Sequence, residues 1–445
     1  MAREMKDSGI EWIGEIPEEW DILRLKSLFS FGKGLPITKD SLVEIGVPVI
    51  SYGQIHGKYN SGVHLHNELI RYVPETYLTT NPESLVHEGD LILADTSEDI
   101  DGCGNCAYID SNMQVFAGYH TIILKASKQT NNKYIAYLMK TDPWRSQLRS
   151  KVSGVKVFSI SRKIISNAVI ILPPVPTQHR IAAFLDRKCA EIDSVIADTQ
   201  KTIDEYKALK QSIITEAVTK GVRGERKMKD SGVEWIGDVP EEWKVIKCSR
   251  IISGTQNGLT RRDTEKSEGD IVLKLKNIDS NGYIDYSEVN RISLTAKEIE
   301  TYELQEGDFL FVRVNGSKSL VGKCAIYHDI GSIVAYNDHI IRVQLNESCN
   351  HEYFKLYLQS NLGKCEIDLH TSTSAGQFTI SGEGLRDMVF VLPPMKEQVE
   401  IVTHVSYSLS QTDAIIAAKQ QLLAELDAYK KSVIYEYVTG KKEVQ

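Results

Sequence analysis

The sixteen residues MKDSGIEWIGEIPEEW (5–20) return as MKDSGVEWIGDVPEEW at 228–243, identical at 13 positions and differing only by Ile/Val and Glu/Asp exchanges. So long a repeat constrains the fold before any element is assigned: the chain carries two copies of one plan, and what one copy forms the other forms too. Further matches follow in the same order. HEGDLILA (87–94) answers QEGDFLFV (305–312), a Glu-Gly-Asp turn leading into an apolar strand. KYIAYLMK (133–140) is set against FKLYLQSN (354–361) as a helix, and VFSISRK (157–163) against QFTISGE (377–383). AVIILPPVPTQHRIAAFL (168–185) answers MVFVLPPMKEQVEIVTHV (388–405).

Each Leu-Pro-Pro ends a strand, because proline cannot donate to a ladder, and opens a long helix. In the second copy Val405, Leu409, Thr412, Ile416, Lys419, Leu423, Leu426, Lys430 and Val433 follow alternating steps of four and three residues. Leu185, Cys189, Ile192, Ile196, Thr199, Ile203, Tyr206, Lys210 and Ile213 do so in the first. This 3.5-residue repeat is the pattern of a coiled-coil seam. About 40 helical residues at 1.5 Å each make a rod of roughly 60 Å. A lone helix cannot bury such a seam, and the other copy supplies a partner. Packing of the copies about a pseudo-twofold axis runs the helices antiparallel.

Before each helix, short β-like runs (GVPVIS, DLILAD, HTIILK; DIVLKLKN, DFLFVRV, HIIRVQL) alternate with Gly, Asn, Asp and Ser turns. The expected fold is α+β: two mostly β globular heads, 1–172 and 221–392, each followed by a long helix, 173–220 and 393–445. The helices are expected to pair as an antiparallel coiled coil. Residues 219–235, TKGVRGERKMKDSGVEW, read as the joint between copies.

The framework motifs match, but much of the sequence between them does not. SFGKGLPITKDSLVEIG (30–46) and SGTQNGLTRRDTEKSEG (253–269) share almost only glycines, and ADTSEDIDGCGNC (94–106) and VRVNGSKSLVGKC (312–324) share less. A duplicated scaffold with divergent loops is what two readers of different ligands look like. Two heads held apart by a spacer suit a target with two half-sites, and unlike heads suit an asymmetric one.

The opening motif, the Glu-Gly-Asp strand, the Leu-Pro-Pro exit and the helix ending in KQSIITEAVTKG together closely resemble the specificity (S) subunit of type I restriction–modification systems. The resemblance covers nearly the whole chain, in both copies. It implies two target-recognition domains, each reading one half of a split double-stranded DNA site. It implies helices that set the spacing and dock two modification methyltransferase subunits. Adenine methylation and ATP-driven cleavage would belong to those subunits and to restriction (translocase–nuclease) subunits. S-adenosylmethionine, ATP and Mg would then be bound by partners, and this chain would hold no cofactor and catalyse nothing by itself.

The residues agree with a non-catalytic role. The sequence has no Asn-Pro-Pro-aromatic methyltransferase motif and no GxxxxGK[ST] phosphate loop. Cys103-Gly-Asn-Cys106 offers two ligands with no second pair at zinc-finger spacing, so two free thiols in a glycine-rich turn are expected, not a metal. Seven scattered cysteines, no apolar run of about twenty residues and no signal-like N-terminus make a reduced, cytoplasmic protein with no membrane association the expectation. A net charge of −8 argues against coating nucleic acid through bulk positive charge, though not against local basic surfaces.

Candidate DNA contacts lie in the divergent stretches. In the second head Asn257, Thr260, Arg261 and Arg262 precede a strand region carrying Lys274, Lys276 and Asn277. Arginine is the common bidentate reader of guanine. Arg313, Asn315, Ser317 and Lys318 follow a strand end, and Ser372 and Gln377 lie in a polar stretch, Gln377 as a candidate adenine reader. The first head offers Lys33, Lys39, Lys58, Lys151, Ser153 and Lys156, with Gln54 and His56 as amide and imidazole readers. The bland alternative for Arg261 and Arg262 is a solvated loop neutralised by Asp263, Glu265 and Glu268. Phosphate contacts also outnumber base contacts in such interfaces. Trp12, Trp20, Trp235 and Trp243, in the duplicated opening, read as framework anchors. A second function class is a non-catalytic coiled-coil adaptor whose two heads bind proteins, which predicts no salt-dependent DNA binding.

Overall fold

The computed structural model describes residues 3–11, 13–125, 130–154, 156–261, 268–279, 282–374 and 376–444, so Trp12 and Arg262 lie outside the described residues. The chain divides into two compact units, Met1–Thr199 with Gln421–Gln445, and Gln200–Gln420. Each unit holds one head, part of the helix that follows it and part of the other long helix.

In the first unit the apolar runs build two four-stranded sheets. One has the order Cys106–Tyr108, Leu91–Ala94, Thr121–Lys125, Ser30–Lys33, antiparallel throughout. The other runs Arg71–Val73, Val47–Ile50, Val115–Ala117, Leu85–Val86. The second unit repeats the plan with Cys324–Ile326, Phe309–Val312, Ile340–Leu345, Ile252–Asn257, and with a three-stranded sheet of Asn290–Ile292, Asp270–Leu273 and Val334–Tyr336. Leu91–Ala94 and Phe309–Val312 are buried at every residue, which is why they read as unbroken apolar runs. The turns before them need their glycines: Gly89 and Gly307 have φ of 91° and 87°. The aspartates close these turns, Asp90 accepting from the backbone of His87 at 3.0 Å and Asp308 from that of Gln305 at 2.9 Å.

Each head also carries a helix pair, Asn132–Lys140 with Asp142–Arg149 and His351–Gln359 with Asn361–Leu369, so the heads are mixed α/β rather than mostly β. Asn131 and Asn350 cap the first helix of each pair, accepting from the backbones of Tyr134 and Tyr353 at 3.0 Å. These caps correct the expected alignment by two residues: 133–140 corresponds to 352–359. Apolar content fixes the register of a buried helix weakly, whereas a cap fixes it outright.

The Leu-Pro-Pro exits are strands Val169–Leu172 and Val389–Leu392, paired with Asp21–Arg24 and Lys244–Lys247. A buried glutamine clamps each exit. Gln178 accepts from Asn131 N at 2.8 Å and donates to Pro173 O at 2.7 Å. Gln398 accepts from Asn350 N at 2.7 Å and donates to Pro393 O at 2.9 Å. Each helix pair is thus tied to the start of its long helix.

The long helices are Val175–Lys220 and Met395–Val438, 46 and 44 residues. At 1.5 Å per residue they reach about 69 and 66 Å, longer than expected because each begins immediately after its prolines. Burial follows the predicted steps. Leu185, Cys189, Ile192, Thr199, Ile203, Val405, Thr412, Ile416 and Val433 are buried. Ile196, Tyr206, Lys210, Leu409, Lys419, Leu423, Leu426 and Lys430 are half-buried. Near the end of the first helix Ile214, rather than Ile213, is the buried residue. Within the first unit Lys430 pairs with Asp193, and the Phe184 and Tyr437 rings meet at 4.3 Å. Within the second, Lys210 pairs with Asp413 and Arg223 Nε lies 2.7 Å from Glu400.

The duplicated opening folds as the hairpins Met5–Asp7 with Glu15–Pro17 and Met228–Asp230 with Asp238–Pro240. Trp20 and Trp243 are fully buried. Trp243 donates from Nε1 to Glu397 at 2.9 Å, and Arg226 lies 2.6 Å from the same carboxylate. The joint is therefore pinned rather than loose. In the first unit the end of the second long helix seats on the opening: Lys441 Nζ donates to Glu15 O at 2.7 Å. A Cβ on Gly440, at φ 72°, would lie 2.6 Å from Pro17. Trp235 is partly exposed and donates to Glu366 at 2.9 Å. These three tryptophans are framework anchors. No helix among the described residues is long and apolar enough to cross a membrane.

Candidate nucleic-acid interface

At one end of each four-stranded sheet, a short strand extends the central run and captures a segment about 60 residues further along. In the second unit Val314–Asn315 pairs with Gln377–Thr379, which pairs with Ser372–Ser374. In the first, Thr96–Ser97 pairs with Phe158–Ser159, and Ser153 bridges to Ser159. Residues that the sequence offers as separate groups are thereby brought together: Arg313, Asn315, Ser317 and Lys318 with Ser372 and Gln377. Asn257 lies at the same end, opposite Ile341, which lies opposite Phe311. In the first head the same small sheet carries Ser153, with Lys151 and Lys156 beside it and Lys33 opposite Ile122 at the matching sheet end. Ser317, Lys318, Ser372, Gln377, Lys151, Ser153 and Lys156 are all exposed, whereas the strands behind them are buried.

The backbone frame is the same in both heads. Arg313 N donates to His339 O at 2.8 Å and Ile380 N to Arg313 O at 3.0 Å; Asp95 N donates to His120 O at 3.1 Å and Ile160 N to Asp95 O at 2.8 Å. Asp95 thus occupies the place of Arg313, Lys33 that of Asn257, and Val157 that of Gln377. Arg313 is oriented by donating from Nη1 to Asp338 O at 3.0 Å. Asp95 accepts from Thr96 Oγ1 at 2.8 Å and lies 3.6 Å from His120 Nδ1. Asp95, His120 and His339 are not among the sequence-derived candidates. The histidines have a sequence signal, since HTIILK and HIIRVQL both begin with one, whereas the negative charge of Asp95 gives no hint of a DNA contact.

Other candidates serve the fold. Asn277 is buried, donates to Asp285 O at 2.8 Å and Glu288 O at 3.0 Å, and accepts from Lys274 N at 2.9 Å. Gln54 accepts from Ser51 N at 3.1 Å in the matching turn of the first head. Both of these candidate amides close turns. The His56 ring is also engaged within the fold: Nε2 meets Thr96 O at 2.8 Å and Nδ1 meets Asn105 Nδ2 at 3.0 Å. Arg261 Nη1 lies 2.9 Å from both oxygens of Glu298 and its Nη2 donates to Ser293 O at 2.7 Å, bracing the helix Ala296–Tyr302. Lys276 pairs with Glu288 at 2.9 Å. Lys274 is half-buried, Lys39 and Thr260 are exposed, and Lys58 covers the Tyr59 ring at 4.8 Å.

Cys103 and Cys106 are buried free thiols, and burial pushes both up, Cys106 to about 11. That direction opposes thiolate chemistry. Among the described residues no group of three or more His, Cys, Asp or Glu side chains is placed to hold a metal.

Residues 17–203 and 240–428 match the family described as Type I restriction modification DNA specificity domain. The chain is 24% identical over 440 residues to the Type I restriction enzyme EcoKI specificity subunit of Escherichia coli (strain K12), covering 97% of this chain and 91% of that protein. It is 25% identical, at 97% and 91% coverage, to the Type I restriction enzyme StySPI specificity subunit of Salmonella potsdam. In fold it resembles a chain from a study of complex assembly and conformational transition of the type I R-M system, with TM-score 0.71, 16% identity, and 96% and 99% coverage. The HsdS subunit from Thermoanaerobacter tengcongensis aligns with TM-score 0.51 and 16% identity over 96% and 98% of the two chains.

Proposed function

Because the chain belongs to the type I restriction–modification DNA specificity family, whose work is recognition of DNA sequence, we propose that each head reads one half of an asymmetric, split double-stranded site. The observation that carries this reading is the pair of small sheets with exposed polar residues, one backbone frame dressed with different side chains. Arg313 suits guanine and Gln377 adenine, whereas Asp95 suits the amino group of cytosine; each good pair discriminates by about 1–3 kcal/mol. Lys33, Lys151, Lys156 and Lys318 suit phosphates, which fix position without reading sequence.

The long helices act as the spacer, pairing as an antiparallel coiled coil. The 3.5-residue burial pattern supports this, as do the ion pairs Asp193–Lys430 and Lys210–Asp413, one within each unit. Beside the buried seam the helices keep apolar residues exposed: Ile415, Leu422 and Tyr429 at seven-residue steps on the second, Val195 and Leu209 on the first. Surface of this kind suits docking of helices from two methyltransferase subunits. Methylation, translocation and cleavage, with S-adenosylmethionine, ATP and Mg, then belong to methyltransferase and restriction partners, and this chain is non-catalytic.

Assembled with its methyltransferase subunits, the chain should bind its site with log affinity falling linearly against log salt, and Lys318→Gln should reduce that slope by about one. Salt-independent association would instead favour heads that bind proteins.

A further inference from the structure

We propose that the first head holds a binding site for a nucleoside phosphate, in a cavity of about 480 Å³ walled by residues 55–57 and 60–62, Gly104–Cys106, the start of helix Asp142–Arg149 and one face of the long helix from Lys431 to Tyr435. The volume falls in the range of small-molecule sites, roughly 300–1,000 Å³. The inference does not rest on how the heads read DNA.

Three cations line the wall. Lys140, the last residue of its helix and half-buried, makes no hydrogen bond or ion pair with any described residue. Arg145 is held in place by donating from Nε to Cys103 O at 3.3 Å and from Nη2 to Asp101 O. Lys431 enters from the long helix. The lining carboxylate among the described residues, Asp142, is engaged with Arg149 at 3.2 Å. Burial, reinforced by nearby Lys430, pushes the Lys140 ammonium down to about 8, so the lone chain holds a charge that an anion would stabilise. The remaining wall supplies what a bare ion would not use. Tyr435, half-buried and aromatic, offers a face for a flat organic body joined to the phosphate, backed by the buried Ile55, Met139 and Ile434.

The second head contains an internal control. A cavity of about 390 Å³ occupies the matching place, built on Gly282, Gly322 and Cys324 where the first head has Gly62, Gly104 and Cys106. All four glycines have positive φ, 80° and 83° against 77° and 76°, so the backbone of the pocket is duplicated. The charge is not. Gln359 stands in place of Lys140, and of the three lysines in this wall Lys318 faces Asp368 at 3.5 Å, Lys364 donates to Gln211 at 2.6 Å and Lys323 lies beside them, with Asp279 as a second carboxylate. With one carboxylate in the first wall against two in the second, an anion should prefer the first head.

The test is calorimetric titration of the chain, assembled with its methyltransferase subunits, with AMP, adenosine and inorganic phosphate at low salt. AMP should bind at one site per chain, phosphate about tenfold more weakly or worse, and adenosine not measurably, a tenfold step being about 1.4 kcal/mol. Lys140→Gln, which copies the second head and so preserves the local fold, should weaken AMP about tenfold or more, and Lys431→Met should weaken it less. Lys364→Met should leave AMP binding unchanged. Absence of AMP binding, adenosine binding as tight as AMP, or AMP binding indifferent to Lys140→Gln would each overturn the proposal. So would a Lys140→Gln variant that loses DNA affinity and salt slope in a complex that ignores AMP, which would reassign the lysine to the DNA backbone.

Discussion

Lys210 and Asp413 are ion-paired in the second unit, and Lys430 and Asp193, the residues at the same places in the other copy, are ion-paired in the first. Each long helix thus supplies the lysine once and the aspartate once. Lys210→Glu should lower stability by about 0.5–1 kcal/mol, because the pair is partly exposed. Adding Asp413→Lys should recover most of that loss, and chemical denaturation of the single and double variants measures the coupling. No recovery would mean that the pair does not fix the helix register.

The buried Glu397 should be the most sensitive polar residue of the second unit. Glu397→Ala leaves the Trp243 indole without its acceptor and takes one of two carboxylates from Arg226, which keeps Glu242 at 3.0 Å, and should cost about 1–3 kcal/mol in urea denaturation. Glu397→Gln, which still accepts from Trp243, should cost less. In the first unit Thr177 stands at that place, and the buried Trp20 Nε1 has no partner among the described residues. Thr177→Glu should therefore stabilise the first unit by about 1 kcal/mol.

The first unit should show a pH dependence that the second lacks. Asp186 faces Lys133 at 2.7 Å, Tyr137 Oη at 2.8 Å and His64 at 3.5 Å. Burial alone would raise its carboxyl, but these donors outweigh it and hold it at about 2. His64 titrates above its ordinary value, chiefly through Asp186 and, against the opposing effect of burial, through Asp110 at 2.8 Å. The lowered carboxyl stabilises above about pH 3.8 and loses its effect as pH falls toward 2. The raised imidazole stabilises fully below about pH 6.5 and loses its effect as pH rises through the raised value. Melting curves of wild type and His64→Gln should therefore diverge below about pH 6.5 and converge above the raised value. Parallel curves would contradict this. Ser406 stands at the Asp186 place in the second copy, so no such contribution arises there.

The exposed stripe beside the seam makes a separate prediction. Leu422→Asp with Tyr429→Asp should leave helicity and melting nearly unchanged, since both side chains are substantially exposed. Capture of methyltransferase subunits, measured by sedimentation, should fall about tenfold or more. Unaltered capture would place docking elsewhere.

Features governed by local chemistry were legible in the sequence. The Glu-Gly-Asp turns, the Leu-Pro-Pro exits and the periodic burial of the first long helix from Leu185 to Ile203 follow from backbone and periodicity, and the strand runs form strands except where DIVLKLKN turns at Leu275–Asn277. What was hidden depended on partners distant in the chain. The Glu298 carboxylate beside Arg261 and the turn that closes around Asn277 are both visible only in the folded chain. The small sheet that unites Asn315 with Phe378 joins short strands whose pairing no local pattern announces. Asp95 escaped because its role follows from sharing a frame with Arg313, not from its charge.

The account stands most directly on a methylated-base map of DNA modified by the complex carrying wild-type chain or the Arg313→Ala, Gln377→Ala variant. The wild type should mark one asymmetric split motif. The variant should relax or lose specificity in one half of that motif, by about 1–3 kcal/mol per lost base contact, with the other half and the gap unchanged. Alteration of both halves together, or a motif identical to that of the wild type, would contradict separate reading by the two heads.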